Sequence, residues 1–504
     1  MLKTPANLII RADASTEIGT GHVMRCLALA QTWQDAGGKA TFVMATKSAA
    51  IETRLRSEGT GVVYVDEIPG SVDDAIQTLA VAEQHNAQWI VIDGYQFGGN
   101  YQRKMKDSGR NLLFIDDYGH ADYYCADFVL NQNIHAHAGL YANREPFTKL
   151  LLGTRFVLLR HEFLGWQGWK REVPPMARRI MVTFGGSDDQ NVTCKVIRAL
   201  KRAHLDGTEV GVIVGLTNPH LGVIREELGD STLKIQHLSA VNDMATLMAS
   251  ADIAISAAGS TCWELAFMGL PSFVLPLADN QVAIAEELDS KGISIRLDTQ
   301  ELDSNSEAVS RITHLMRSQE TRLMMMQEGQ KLVDGEGTER VLMHMRGERL
   351  RLRRIQETDC KLLWEWANDP EVRLFAFSSE PIPWDTHVGW LTERLQKPDA
   401  FFFIALDDQD VPVGQVRFDI NESKAQIDVS IDKGKRGFGY SPILIERGVE
   451  ELFRRTPVKE IHAFVKLTNQ SSIRAFEKAK FERVGIKLVE NNETLHYVVK
   501  KYDA

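Results

Sequence analysis

Cysteine is scarce in this chain. Only five of its 504 residues are cysteines (Cys26, Cys125, Cys194, Cys262 and Cys360). Their dispersed spacing matches neither a zinc half-site nor a disulfide framework, so reduced thiols in the cytoplasm are expected. Cys26 and Cys262 adjoin motifs treated below, and each reads as a small buried hydrophobe. Long apolar runs are missing as well. Leu8-Ile9-Ile10 is too short for the core of a signal peptide, and nothing approaches the roughly 20 residues of a membrane span, so no membrane partner is expected. Nor is positive charge in excess: Lys and Arg number 58 against 68 Asp and Glu, a net charge of −10. Interspersed charges of that balance exclude non-specific nucleic-acid binding from the expected functions. Repeats, low-complexity tracts and long Ser/Pro linkers are lacking too.

What is present is an alternation of strands and helices. At roughly 150 residues per domain the length predicts three domains, drawn here at 1–170, 171–346 and 347–504. In the first, Ala40–Met44, Val62–Val65, Trp89–Asp93 and Asn111–Asp117 read as strands, with helical spacing between them, as in Val72–Gln84. Continuous apolar strands separated by helices imply a parallel sheet covered on both faces, which binds ligands at the carboxyl ends of its strands. A second α/β unit follows Val173-Pro174-Pro175, with strands at Arg179–Phe184, Glu209–Val214, around Leu233–Gln236 and at Asp252–Ser256, and a helix at Leu265–Gly269. Two such lobes around a cleft describe a GT-B architecture.

The most informative stretch is Ile18-Gly19-Thr20-Gly21-His22-Val23-Met24-Arg25, which joins the run Leu8-Ile9-Ile10 to a helical segment. Gly19 and Gly21 allow positive φ and close approach, so amides of the first helical turn can face an anionic ligand. Imidazole, with an ordinary pKa of roughly 6.5, suits proton abstraction near neutrality. His22 is therefore read as a general base, although a lone motif of this kind also suits a histidine beside a structural turn. Asp13 either orients His22 or pairs with Arg11 or Arg25. The wording from Arg11-Ala12-Asp13 through Arg25 resembles the opening of the UDP-sugar hydrolases of pseudaminic acid biosynthesis, which remove UDP from UDP-2,4-diacetamido-2,4,6-trideoxy-β-L-altropyranose.

In the second unit, Gly185-Gly186-Ser187 and Gly259-Ser260-Thr261 place small residues at strand-to-helix turns whose amides can hold a diphosphate. Glu264 falls in a first helical turn, where the helix dipole alone favours a carboxylate. The run on to Asn280-Gln281 resembles the UDP-binding half of the same hydrolases and of the N-acetylglucosaminyltransferase of peptidoglycan synthesis. That resemblance gives Glu264 the ribose hydroxyls, and Tyr95 and Asn280 the sugar or the attacking water.

The third region opens near Arg349 with Leu350–Arg353 as an edge strand. A helix at Cys360–Trp366, a hairpin of Phe401–Leu406 with Val411–Asp419, and a strand at Ala425–Ile431 follow. Lys433-Gly434-Lys435-Arg436-Gly437-Phe438-Gly439-Tyr440 then enters a helix over Pro442–Phe453, an arrangement suited to the pyrophosphate of coenzyme A. Order and wording resemble the GNAT acetyltransferases. The resemblance assigns Lys435, Arg436, Gly437, Gly439, Tyr440 and Asn469 to acetyl-CoA. Two positions depart from the family pattern. Phe476 stands where many members carry a tyrosine that protonates the leaving thiolate, leaving Tyr440 or water for that role, and Lys480 stands where glycine is usual.

Together these resemblances imply a cytoplasmic enzyme acting on a UDP-activated amino sugar. Its acetyl-CoA-dependent third domain would N-acetylate UDP-4-amino-4,6-dideoxy-N-acetyl-β-L-altrosamine, and its first two would hydrolyse the product with inversion. No metal is expected, and a homo-oligomer is compatible with the sequence. Two alternatives stay open: a GT-B glycosyltransferase serving an acceptor other than water, and a third region that senses coenzyme A or a sugar nucleotide without catalysis.

Overall fold

A computed structural model describes residues 7–15, 19–185, 188–203, 205, 207–215, 218–229, 234–238, 241, 243–302, 307–397, 401–490 and 492–501. Contacts divide the chain into two units, Met1–Leu342 and Met343–Ala504.

The first unit contains two parallel sheets. Strands β1 (Asn7–Ala12), β2 (Ala40–Met44), β3 (Gly61–Tyr64), β4 (Ala87–Asp93), β5 (Asn111–Ile115), β6 (Phe128–Asn131) and β7 (Lys149–Leu152) form the first, in the order β3-β2-β1-β4-β5-β6-β7. The second has β8 (Arg179–Thr183), β9 (Glu209–Ile213), β10 (Lys234–Leu238), β11 (Ile253–Ala257), β12 (Ser272–Leu275) and β13 (Ser294–Arg296), in the order β10-β9-β8-β11-β12-β13. Both are centred on strands whose side chains are buried on both faces, as their unbroken apolar runs require. Arg11 interrupts β1 at 0% exposure. Its guanidinium forks onto Asp74 (2.9 and 3.1 Å) and reaches Asp13 (2.6 Å), so the buried charge is paired. Residues after β7 pack into the second sheet: Val157, Leu159 and Phe163 share a core with Trp263, Phe267 and Val274.

In the second unit, β14 (Arg351–Arg354), β15 (Phe401–Leu406), β16 (Pro412–Asn421), β17 (Lys424–Ile431), β18 (Glu460–Lys466), β19 (Glu482–Val489) and β20 (Asn492–Lys500) form one mixed sheet, ordered β14-β15-β16-β17-β18-β20-β19. One face packs on the helix Tyr440–Arg455 through Val416, Phe418, Leu444 and Leu452. The other packs Phe402 and Ile404 against Leu363, Trp366 and Leu391 of the helices Cys360–Ala367 and Trp384–Gln396. Strands β17 and β18 pair in parallel only from Lys424–Glu460 to Gln426–His462 and then diverge.

Lys480 follows the helix Gln470–Lys478 at φ 63°, in the left-handed region. An L side chain pays roughly 1–2 kcal/mol there, which glycine avoids at some entropic cost. Lys480→Gly should therefore raise the stability of this unit by up to about 1 kcal/mol, read as a higher denaturation midpoint of the full chain. An unchanged or lower midpoint would contradict the argument.

Candidate active site

The first site lies in the cleft of the first unit, a cavity of about 1130 Å³. Gly19, Gly21 and His22 stand on one wall and Gly259, Ser260 and Thr261 on the other. The two turns approach closely: a Cβ on Gly21 would lie 3.4 Å from Ser260 Oγ. The turn at Gly19 has φ 70°, and the helix Gly21–Asp35 starts directly after it. On the far wall the helix starts at Thr261 rather than Leu265, so Ser260 is its cap residue and Glu264 sits in its first turn. Ile18 and two of the expected ligands, Gly186 and Ser187, lie outside the described residues.

Behind His22 is a charged scaffold that the sequence reading did not assemble. Arg25, one turn along the same helix and 6% exposed, forks onto Asp93 (2.7 and 2.7 Å) and Asp117 (2.7 and 3.1 Å) at the carboxyl ends of β4 and β5. Burial pushes the Asp117 carboxyl up, but the charge and hydrogen bonds of Arg25 more than reverse this and hold it well below the usual carboxylate range. Asp117 Oδ2 accepts a hydrogen bond from the Tyr95 hydroxyl (2.8 Å). Burial and the Asp117 charge both push that phenol upward, so it stays protonated. Asn280 Nδ2, from the other lobe, donates to the same hydroxyl (2.9 Å). The Tyr95 ring meets His22 edge-on, with centroids 4.9 Å apart. Three residues expected at the reacting centre, His22, Tyr95 and Asn280, are thus in one contact chain, and Arg25 and Asp117 anchor it.

His120 supports Tyr95 from behind (5.6 Å between rings). Burial pushes its imidazole down, and the ion pair with Asp116 (3.0 Å) outweighs that and raises it. Asp13 is placed differently from His22's partner: it is buried against Arg11 and accepts hydrogen bonds from the amides of Ala45 (2.6 Å) and Thr46 (3.2 Å). Glu264 lines the cavity and pairs with Arg160 (2.8 Å), and burial pushes its carboxyl up. Cys26 and Cys262 are both buried free thiols.

The positions expected to meet acetyl-CoA fall in the second unit. Gly437 (φ 84°) and Gly439 (φ 79°) both use the left-handed region, and Gly439 is the residue before the helix Tyr440–Arg455. The two basic side chains are already paired, Lys435 with Asp407 (2.7 Å), Arg436 with Asp369 (2.8 Å) and Glu371 (2.7 Å). What the loop offers an anion is therefore its backbone and a net of partly neutralised cations. Tyr440 opens the helix with its ring beneath Arg349 (4.8 Å). Asn469 caps the next helix, accepting from the Ser472 amide (3.1 Å). Phe476 is buried between Phe481 and Tyr497. Among the described residues no group of three or more His, Cys, Asp or Glu could hold a metal ion, and no helix is long and apolar enough to cross a membrane.

Two family models match the chain, the glycosyltransferase family 28 C-terminal domain over residues 179–338 and the acetyltransferase (GNAT) domain over 349–482. The spore coat polysaccharide biosynthesis protein SpsG of Bacillus subtilis is 30% identical over 337 residues, which cover 66% of this chain and 95% of that protein. The chain belongs to the SpsG family. Its architecture is a two-lobed GT-B-like fold followed by a GNAT α+β domain. An uncharacterized protein of Methanocaldococcus jannaschii extends beyond the SpsG-like part, 23% identical over 97% of this chain and 99% of its own length. Within the SpsG-like part the chain is also similar to the UDP-2,4-diacetamido-2,4,6-trideoxy-β-L-altropyranose hydrolase of Campylobacter jejuni, 24% identical over 57% of this chain and 98% of that protein.

Proposed function

We propose that the first unit hydrolyses a UDP-activated diacetamido sugar, UDP-2,4-diacetamido-2,4,6-trideoxy-β-L-altropyranose or a close relative, to the free sugar and UDP. One observation carries this reading: two glycine turns face each other across a single cavity with His22 on its wall and Tyr95 and Asn280 beside it. The likeness to the Campylobacter hydrolase supports it.

In this reading His22 takes a proton from water as the water oxygen bonds to the anomeric carbon. The anomeric C–O bond breaks, and its electron pair leaves on the β-phosphate oxygen of UDP, with inversion. The diphosphate is a weak base, so what it needs is dipoles rather than a proton. Amides at Gly259–Thr261 and at the Gly19–Gly21 turn supply them. Glu264, once it exchanges Arg160 for ribose hydroxyls, would read the nucleoside. Tyr95, fixed between Asp117 and Asn280, would hold the sugar or the water.

The second unit would N-acetylate the 4-amine of the corresponding amino-sugar nucleotide from acetyl-CoA, the step that precedes hydrolysis. The GNAT match and the glycine loop before Tyr440 support this. Phe476, which has no phenol to donate a proton, favours a second reading in which this unit binds acetyl-CoA or the nucleotide without transfer. One set of assays separates the readings. UDP should be released from the diacetamido substrate with no acceptor added, and in ¹⁸O water the label should enter the sugar and not UDP. A glycosyltransferase would be nearly idle under those conditions. Thiol release from acetyl-CoA with the 4-amino nucleotide marks catalysis in the second unit, and its absence marks sensing.

A further inference from the structure

Outside the first cleft, Arg373, Arg417 and Ser430 of the second unit each carry a buried donor with no hydrogen-bond partner among the described residues, and Arg417 lies on the sheet face that Trp390 covers. Arg417 and Asp428 are directly opposed on β16 and β17 and pair at 3.1 Å. Ser430 lies two residues along β17, on the same face and in the part of the strand that diverges from β18. Arg373, on the helix Pro370–Phe375, comes within electrostatic reach of both Arg417 and Asp428. The end of that helix is fixed over β18 by Lys466, whose Nζ donates to the Ala376 carbonyl (2.6 Å). The Arg417 guanidinium also rests on the Trp390 ring (5.4 Å).

The charges do not balance. Asp428 pairs with Arg417, whereas Arg373 Nη1 donates to the carbonyls of Ser378 and Glu380 (both 3.3 Å), and burial with the like charge of Arg417 pushes the Arg373 guanidinium down from its ordinary value. Arg373 Nε, Arg417 Nε and Ser430 Oγ are buried without a hydrogen-bond partner among the described residues. Buried donors left unpaired are costly. Arginine forks beside a hydroxyl match the oxygens of a phosphate. Arg436, by contrast, is matched by two carboxylates, so the surplus is local.

We propose that Arg373, Arg417 and Ser430 form an anion site at the gap between β17 and β18, and that it holds the phosphate of the amine-bearing acceptor. This rests on the acetyltransferase reading above and makes the acceptor a phosphorylated amino sugar, not a polycationic amine. Asp428 keeps Arg417 in place and leaves the site one positive charge in excess.

The experiment uses the full chain with acetyl-CoA and two probe acceptors, glucosamine 1-phosphate and glucosamine, with thiol release as the readout. The phosphorylated acceptor should be preferred at least about tenfold in kcat/KM. Arg373→Gln should raise its KM roughly tenfold to a hundredfold and bring the ratio between the acceptors close to one. Arg373→Lys, which keeps the charge but not the fork, should recover part of the preference. Equal use of both acceptors by the wild type, or a preference that survives Arg373→Gln, would overturn the proposal. Should neither acceptor be acetylated, the acetyltransferase reading still stands or falls on the 4-amino nucleotide assay above, and ³¹P line broadening of glucosamine 1-phosphate by the full chain decides the anion site separately. Broadening that Arg373→Gln abolishes supports it, and broadening that persists in the variant, or none in the wild type, overturns it.

Discussion

His22→Asn is expected to lower UDP release at least about a hundredfold while leaving UDP binding nearly intact. General-base catalysis of this kind contributes about 10²–10⁴ in rate, and asparagine cannot take the proton. The nucleotide is assigned to the amides of the glycine turns, which the substitution does not touch. The loss should therefore fall in kcat, with KM within a few-fold. Single-turnover UDP release and UDP titration on the same variant give the two numbers. A variant that still releases UDP at near the wild-type rate would remove His22 from the mechanism. Equal loss of rate and UDP affinity would instead make it a binding residue.

Arg25→Gln should destabilise the first unit by about 3–5 kcal/mol at neutral pH, because Asp93 and Asp117 would keep their buried charges and lose the cation that pairs them. Lysine should rescue little, since one ammonium cannot fork onto two carboxylates. The sign of the pH dependence follows from Asp117. Its carboxyl is depressed in the folded protein, so its stabilising contribution is present above the unfolded value, roughly 3.9, and is lost as pH falls towards the folded one. The gap between wild type and variant should accordingly be widest near pH 7 and narrow as the pH drops below about 4. Denaturant unfolding at pH 7, 5 and 3.5 measures it. A gap under about 1 kcal/mol, or one that does not change with pH, would mean that the network contributes no net stability. The same variant should lower UDP release, since Tyr95 depends on Asp117 for its position.

Much of the architecture was legible because parallel strands buried on both faces have to be written as unbroken apolar runs. Strands β1, β2, β4, β8 and β9 fall where those runs do. The short and outer ones do not announce themselves: β6 and β7 have four residues each, and β19 exposes Val484, Ile486 and Leu488. Asn111–Asp117 read as one strand, but β5 ends at Ile115 because Asp116 turns the chain, accepting from the amides of Tyr118 and Gly119 (both 2.7 Å). The helix expected from Leu265 starts four residues earlier, at Thr261, which brings the Gly259–Thr261 turn onto its first amides.

For the site, local motifs put His22, Gly19 and Gly21 together and the family resemblance brought Tyr95 and Asn280 to the same centre, whereas direct contacts between residues far apart in sequence stayed hidden. Arg25 and Asp117 are 92 residues apart, and Tyr95 and Asn280, whose hydrogen bond to each other was not expected, are 185 apart. Nothing in the spacing of the sequence encodes such distances. The partner of Asp13, left open between His22, Arg11 and Arg25, is Arg11. Arg373, Arg417 and Ser430 belong to no motif, whereas Lys435 and Arg436 of the basic glycine loop, which do, are paired with carboxylates.

The Tyr95–Asn280 hydrogen bond has a kinetic meaning. It joins the lobes through two neutral groups at the rim of the cleft, and such a bond is worth about 1 kcal/mol net, a factor of about five in population. It can help hold the two walls of the cleft together without imposing a slow step. On the hydrolase reading, a bound sugar that offers its own donor to the Tyr95 hydroxyl would replace Asn280 at almost no cost, and the hydrogen bond could re-form once the proposed product has left.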